Sequence, residues 1–374
     1  MAELSTRVLP EATGAPHTTI VPASWYHDPA IHEREQAAIF QREWIHVGHA
    51  SRVPDPGDYL TYRIGDQSII LLHGRDGRIR AFHNVCRHRG SELLQGAGSV
   101  ARIWCRYHGW TYDLDGKLIA ARHSEKVPGF DRACWGLREV RLERIAGFLF
   151  VNLDPDAPPL AAVYPGLAED WLTLEPELDR LVHAHTMAYD IACNWKIAVE
   201  NYLEGYHVLT VHPALYKGFD MDAFVWSIHD HYTSMCTVAK ETAGEHAYAW
   251  EQAARKDLPS YWVWPMVMFE RMPGRPGLFT YNHVPLGPER TLQVVDFYFL
   301  DPDLDEQDRR EIDYVDLVRR EDRASLEAVQ RGIRSKGWQQ GPLMMGPDAA
   351  GEWTEEAILH FQKLVLRRME AQAA

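Results

Sequence analysis

The chain has 374 residues, 46% hydrophobic and 25% charged, which is the range of globular proteins with room for two cores and argues against a disordered chain. A formal net charge of -14 disfavours nucleic acid or an anionic membrane as partner, and is compatible with docking a basic redox protein. Residues 1–22 lack the basic and apolar regions of a secretory signal, and no apolar run reaches the roughly 18 residues of a membrane helix, so the expected location is the cytoplasm.

In chain order, a Pro- and Thr-containing leader precedes a helix expected over 31–44 from the recurrence of Ile31, Ala38, Ile39 and Phe40. Short β-branched and aromatic runs then follow at 59–64, 68–72, 79–83, 102–105 and 148–153, separated by turn dipeptides such as Pro56-Gly57, Asp76-Gly77 and Asp115-Gly116. They define an all-β domain over 46–155. The N-terminal segment 1–45 is expected to pack on the second domain, and the Pro- and Asp-rich stretch 152–159 marks the exit from the first. The second domain, 156–374, mixes helices at 160–174, 195–209, 305–333 and 354–372 with strands at 278–283 and 291–300, so the fold class is α+β. There is no internal repeat and no low-complexity segment.

Five cysteines (Cys86, Cys105, Cys134, Cys193 and Cys236) form an odd, scattered set, which in a reducing compartment points to metal ligation for some and buried thiols for the rest. Two have telling neighbours. Cys86-Arg-His88 and Cys105-Arg-Tyr-His108 each place a thiolate and an imidazole in a tight turn between predicted hairpins. Two sulfurs on one iron and two imidazoles on the other is the arrangement of a Rieske [2Fe–2S] cluster, and Gly90 and Gly109 let the backbone wrap closely. A structural zinc ion also accepts two Cys and two His, although zinc modules usually pair Cys with Cys in one knuckle. His73 and His83 lie outside the pattern and are read as ordinary polar residues.

A helix is expected to run through 194–212, which places Glu200, Glu204 and His207 on one face at i, i+4 and i+7. His212 would lie about 140° around an unbroken helix from His207, so the two converge only if the helix has ended, as Pro213 allows. Two histidines need a third, usually carboxylate, ligand to form a facial triad on Fe(II). The expected helix 305–333 has an apolar stripe of Val315, Val318, Leu326, Val329 and Ile333, and Asp322 sits within it, where a metal would compensate its charge. The plainer alternative is two unrelated polar histidines. For Glu204 it is a surface carboxylate, whereas Glu200 is read as a salt bridge to Lys196 at i, i+4 and left out of the site.

These residues in this order resemble the α subunits of Rieske ring-hydroxylating and demethylating oxygenases over essentially the whole chain. The resemblance rests on the two Cys/His turns, Asn194-Trp195-Lys196, Glu200-Asn201, Glu204-x-x-His207-x4-His212-Pro213, and Glu321-Asp322 through Gln330-Arg331-Gly332. It implies an all-β Rieske domain inserted near the start of a helix-grip catalytic domain, with Cys86, His88, Cys105 and His108 on the cluster and His207, His212 and Asp322 on a mononuclear Fe(II). It also implies a homotrimeric ring in which the cluster of one subunit serves the iron of the next. Glu204 would then bridge His108 of the partner subunit to His207, where a carboxylate accepting both ring N–H groups fixes the imidazoles. Many aromatic dioxygenases have Asp at this position, and the choline, glycine betaine, carnitine and stachydrine branch has Glu.

The expected reaction is hydroxylation or oxidative N-demethylation of a small quaternary ammonium or betaine-type substrate by O2. The alternative is hydroxylation or cis-dihydroxylation of an aromatic carboxylate, and a third reading is a Rieske electron carrier without catalysis. The sequence contains no GxGxxG run of the dinucleotide type, so NAD(P)H and flavin are assigned to a separate flavin/iron–sulfur reductase or ferredoxin. Phe224, Trp226, Trp262, Trp264, Phe269 and Tyr281 could cage a quaternary ammonium by cation–π attraction, or simply pack the sheet.

Overall fold

The computed structural model describes residues 18–240, 256–271, 273–338, 340–345 and 354–371. The chain divides into two compact units, Phe40–Leu160 and a larger unit built from the segments on either side of it. The smaller unit runs a few residues beyond the expected 46–155 at both ends. It gains an edge strand, Ile45–His49, paired antiparallel to Phe148–Asn152, and its ends are tied by Trp44 Nε1 donating to Pro158 O at 3.0 Å and Asn152 Nδ2 to Arg42 O at 2.9 Å.

Its seven-stranded antiparallel sheet has the order Ile45–His49, Phe148–Asn152, Glu139–Ile145, Ile79–His83, Gln67–His73, Asp58–Ile64 and Ala97–Ser99. A small three-stranded sheet, Ile103–Trp104, Thr111–Tyr112 and Leu118–Ala120, accompanies it. Ile70, Leu72, Phe82, Ile103 and Tyr112 form a core that also takes in Cys86 and Cys105. The core therefore fixes the positions of both thiols.

In the larger unit, the helix expected over 31–44 is shorter. It covers Pro29–Glu35, capped by Asp28 with Pro29 in its first turn, and relaxes into a π-helical turn over Gln36–Phe40. The β-favouring run from Ile45 then takes the chain into the other unit. The larger sheet, also seven-stranded and antiparallel, has the order Val182–Ile191, Arg290–Phe299, Gly277–Gly287, Val267–Glu270, Asp257–Val263, Tyr232–Val238 and Val225–Ile228. The helix Trp195–Tyr202 packs between the strand Gly277–Gly287 and the long helix Glu306–Gly332.

The long helix begins with a reciprocal cap. Asp305 accepts from the N–H groups of Gln307 and Asp308, and Asp308 returns a carboxylate to Asp305 N. Its inward line is Val318, Asp322, Leu326 and Gln330, all buried, whereas Val329, expected in the stripe, is 50% exposed. A strict spacing of four explains the difference, and buried Gln330 accepts from Asn194 N at 2.7 Å and donates to Tyr26 O at 3.1 Å.

Lys196 does not take Glu200 as its hydrogen-bonded partner. Its ammonium meets Glu35 Oε1 at 2.5 Å with both side chains fully buried, and Trp195 Nε1 donates to Glu35 Oε2 at 2.9 Å. Glu200 instead accepts from Tyr26 OH at 2.6 Å and Gln362 Nε2 at 2.9 Å. The N-terminal segment supplies the nearer carboxylate, so the local i, i+4 pair loses its cation. Among the described residues no helix is long and apolar enough to cross a membrane.

Candidate metal centres

The two Cys/His turns of the smaller unit fold alike. Cys86 N donates to Ser91 O at 2.8 Å and Gly90 N returns to Cys86 O at 3.1 Å, while Cys105 N donates to Trp110 O at 2.8 Å and Gly109 N to Cys105 O at 2.9 Å. Gly90 and Gly109 have φ of +72° and +75°, where a side chain is strained. A Cβ at Gly90 would meet nothing within 4 Å, so it is the backbone conformation that calls for glycine there. Both thiols are buried and both imidazoles exposed, and the His88 and His108 rings lie 4.7 Å apart with His88 stacked on Trp110.

Burial first, and then the neighbouring Cys105, push the Cys86 thiol up, opposed by the Tyr112 hydroxyl 3.4 Å from its sulfur. Two buried sulfurs side by side form a donor pair that a cation would relieve. Among the described residues, the His207, His212 and Asp322 set is the one group of three or more donors whose atoms lie within 4.8 Å of one another. The four donors of the Cys/His turns sort into two thiols that share the core and two imidazoles that meet at the surface. They fit a group that spans two metals.

In the larger unit the helix expected through 194–212 breaks. It starts at Trp195 with Asn194 as cap and stops at Tyr202, so Glu200, Glu204 and His207 do not share one helical face. The chain turns through Gly205, and Glu204 uses one oxygen to accept His207 N at 3.0 Å and the other to hold His207 Nδ1. That carboxylate satisfies a donor at the start of the short helix Val208–Val211, which is why the chain can restart there. His212 sits between this helix and Pro213–Gly218, at φ −121° and ψ 62°.

The break turns both imidazoles toward the long helix. His212 Nε2 is 2.8 Å and His207 Nε2 3.6 Å from Asp322 Oδ1, and the two rings lie 5.2 Å apart. His212 and Asp322 are buried at 2% and 3% side-chain exposure, while His207 retains 19%, so the set is open on the His207 side. Each residue has its own support: Glu204 on His207 Nδ1, Glu321 Oε2 on His212 Nδ1 at 2.7 Å, and Arg319 Nη2 on Asp322 Oδ2 at 3.1 Å. Burial opposes the charge on Asp322, but Arg319 and then His212 hold its carboxyl below the usual range. Three donors around one gap, each oriented from behind, fit an iron(II) site.

Glu321 and Arg319 are absent from the sequence-derived site. They lie in the run Arg319-Arg320-Glu321-Asp322-Arg323, which reads as a solvated face, although a residue three positions before an inward Asp322 shares its side of the helix.

The three residues open onto a cleft of about 780 Å3, its mouth included. Of the six aromatics singled out in the sequence, Phe224 and Tyr281 line it. Trp262 and Trp264 instead pack on Phe361, and Phe269 on Trp171, in keeping with a role in the core. Glu270, also missed in the sequence, lines the cleft, and burial pushes it up to about 7 against the pull of Arg319.

The sequence model of the ring hydroxylating alpha subunit (catalytic domain) matches residues 178–371, and that of the Rieske [2Fe-2S] domain matches residues 43–131. The chain belongs to the Rieske ring-hydroxylating oxygenase family, as a catalytic α subunit. It is 36% identical over 348 residues to the carnitine monooxygenase oxygenase subunit of Escherichia coli (strain K12), covering 92% of each chain. It is also 31% identical to the chloroplastic choline monooxygenase of Arabidopsis thaliana over 86% of this chain and 78% of that one. A solved quaternary ammonium Rieske monooxygenase, described in terms of carnitine oxidation and inter-subunit electron transfer, superposes with a TM-score of 0.89 at 33% identity, covering 96% of this chain and 99% of that one.

The protein is thus an oxygenase that works with a Rieske [2Fe–2S] cluster and a mononuclear iron, with electrons supplied by a reductase. The zinc alternative falls with the Rieske match, and a bare electron carrier falls with the catalytic domain.

Proposed function

We propose that this chain hydroxylates, or oxidatively N-demethylates, a small quaternary ammonium or betaine-type substrate. The observation that carries this reading is the wall of the cleft, where Tyr202, Phe219, Phe224, Phe279, Tyr281 and Tyr314 surround the opening beside His207 and Glu270 adds a carboxylate. A quaternary ammonium donates no hydrogen bond, so aromatic faces are what can hold it, and a cation beside Glu270 would favour the ionised form that burial disfavours. The names of the carnitine and choline relatives support the same substrate class.

In this reading Cys86, Cys105, His88 and His108 hold the cluster, and His207, His212 and Asp322 hold the iron. When bound, the cluster supplies one-electron transfer and the iron activates dioxygen. Glu204 and Glu321 keep the Nδ1 positions of His207 and His212 engaged, so each presents Nε2 to the gap. In the net reaction a substrate C–H bond becomes C–OH, and the second oxygen atom leaves as water. Two electrons from NAD(P)H and two protons complete the balance. If the carbon is an N-methyl, the hemiaminal collapses to the demethylated amine and formaldehyde.

We further propose a cytoplasmic homotrimer served by a separate flavin/iron–sulfur reductase or ferredoxin, in which Glu204 links His207 to His108 of the partner subunit. The exposure of His108 suits such a contact. The test is a panel of carnitine, glycine betaine, choline and benzoate, with a surrogate reductase and NADH, read by oxygen uptake and formaldehyde. Turnover of one or more cations supports the proposal. Conversion of benzoate to a cis-diol with none of the cations consumed overturns it.

A further inference from the structure

We infer that Arg319 is a positioning residue that holds one oxygen of Asp322, so that this carboxylate meets the iron through Oδ1 alone. The inference rests on the assignment of Asp322 as an iron ligand. The two oxygens face different partners. Oδ1 lies 2.8 Å from His212 Nε2 and 3.6 Å from His207 Nε2, toward the gap, whereas Oδ2 lies 3.1 Å from Arg319 Nη2. The i, i+3 spacing on the long helix puts both side chains on one side.

Arg319 is itself fixed. Its guanidinium lies over the Tyr281 ring, 4.5 Å from the centroid, and only 10% of its side chain is exposed. Its Nε has no hydrogen-bond partner among the described residues, and Glu270 is the other acidic group that faces it together with Asp322. A buried guanidinium with this little else to bind keeps hold of the carboxylate edge it has.

The consequence is chemical. Each carboxylate oxygen that binds a metal takes up one coordination position, and a facial triad works through the positions left open. With Oδ2 engaged, Asp322 takes one. Without Arg319, Oδ2 has no partner among the described residues to restrain it, and the carboxylate is free to offer both oxygens, closing a position that dioxygen or substrate would use.

The experiment compares iron(II)-loaded wild type, Arg319→Met and Arg319→Lys by crystallography and X-ray absorption, with nitric oxide as the dioxygen surrogate followed by EPR. The expected result is one Asp322 oxygen at the iron in the wild type and two in Arg319→Met. Nitric oxide binding should weaken about tenfold or more in Arg319→Met, a size typical of residues that orient metal ligands, and Arg319→Lys should restore one-oxygen binding. Two oxygens in the wild type, or unchanged one-oxygen binding in Arg319→Met, overturn the inference, and the wild-type measurement decides even if the variant fails to fold. Asp322→Ala separates the two levels. If it leaves the mononuclear iron in place, the ligand assignment itself falls, whereas loss of that iron together with two-oxygen binding in the wild type refutes only the role of Arg319.

Discussion

Replacing Glu200 with glutamine removes a carboxyl group that the larger unit holds between Tyr26 and Gln362. Burial is the main cause that pushes Glu200 up from an ordinary 4.5 to about 7, with Tyr26, Gln362 and Lys196 pulling the other way. The folded state therefore keeps this proton to higher pH than the unfolded chain does. Its contribution to stability is full below pH 4.5 and is lost as pH rises through 7. The full loss is worth about 3 kcal/mol, from about 1.4 kcal/mol for each pH unit between the two values.

Glu200→Gln keeps an oxygen for Tyr26 and does not titrate. The variant should match the wild type near pH 5 and pull ahead by up to about 3 kcal/mol at pH 8. In melting temperature that is about 6 to 12 °C for a unit of this size. Calorimetry of both proteins from pH 5 to 8.5 measures it. The local ion pair of Glu200 with Lys196 suggested by their spacing predicts the reverse, stability present above pH 4.5 and lost in acid. A difference that does not change with pH, or that turns against the variant as pH rises, refutes the reasoning.

Glu35→Ala leaves the fully buried Lys196 ammonium without its carboxylate, and should destabilise the larger unit by about 3 to 5 kcal/mol in denaturant titration; a cost below about 1 kcal/mol contradicts the role given to this pair. Glu204→Gln should retain iron and cluster content while substrate-coupled NADH oxidation falls about 10- to 100-fold, and full turnover counts against the link through His207. Cys105→Ser should abolish acid-labile sulfide while the mononuclear iron stays, because the two proposed sets of ligands belong to separate units. Loss of the mononuclear iron along with the cluster would show the two centres to be interdependent.

The Cys/His turns were legible because each combines donor residues at tight spacing with a glycine that the turn requires, and that chemistry is local. Asp322 was legible as a charge inside an apolar stripe, since period and polarity conflict there. The helix break after Tyr202 was not, because Glu200, Glu204 and His207 keep helical spacing in the sequence, and only the capture of His207 N by Glu204 reveals the turn. Long-range partners were equally hidden. Spacing offered Lys196 a carboxylate one turn away, whereas the fold brought Glu35 from far upstream. The strand Asp257–Val263 is buried on both faces and so lacks the alternation that marks a strand. The tryptophans at 262 and 264 could be read as a ligand cage or as sheet packing, and they fill the core against Phe361.

The central claim, two different iron centres in one chain, is tested most directly by iron and acid-labile sulfide analysis of anaerobically purified protein, with an EPR spectrum after dithionite reduction. The account predicts three irons and two sulfides per chain and a reduced-cluster signal with an average g of roughly 1.9, as expected for mixed Cys/His ligation. Zinc without sulfide contradicts it outright, and two irons that no added iron(II) raises to three contradict the site at His207, His212 and Asp322.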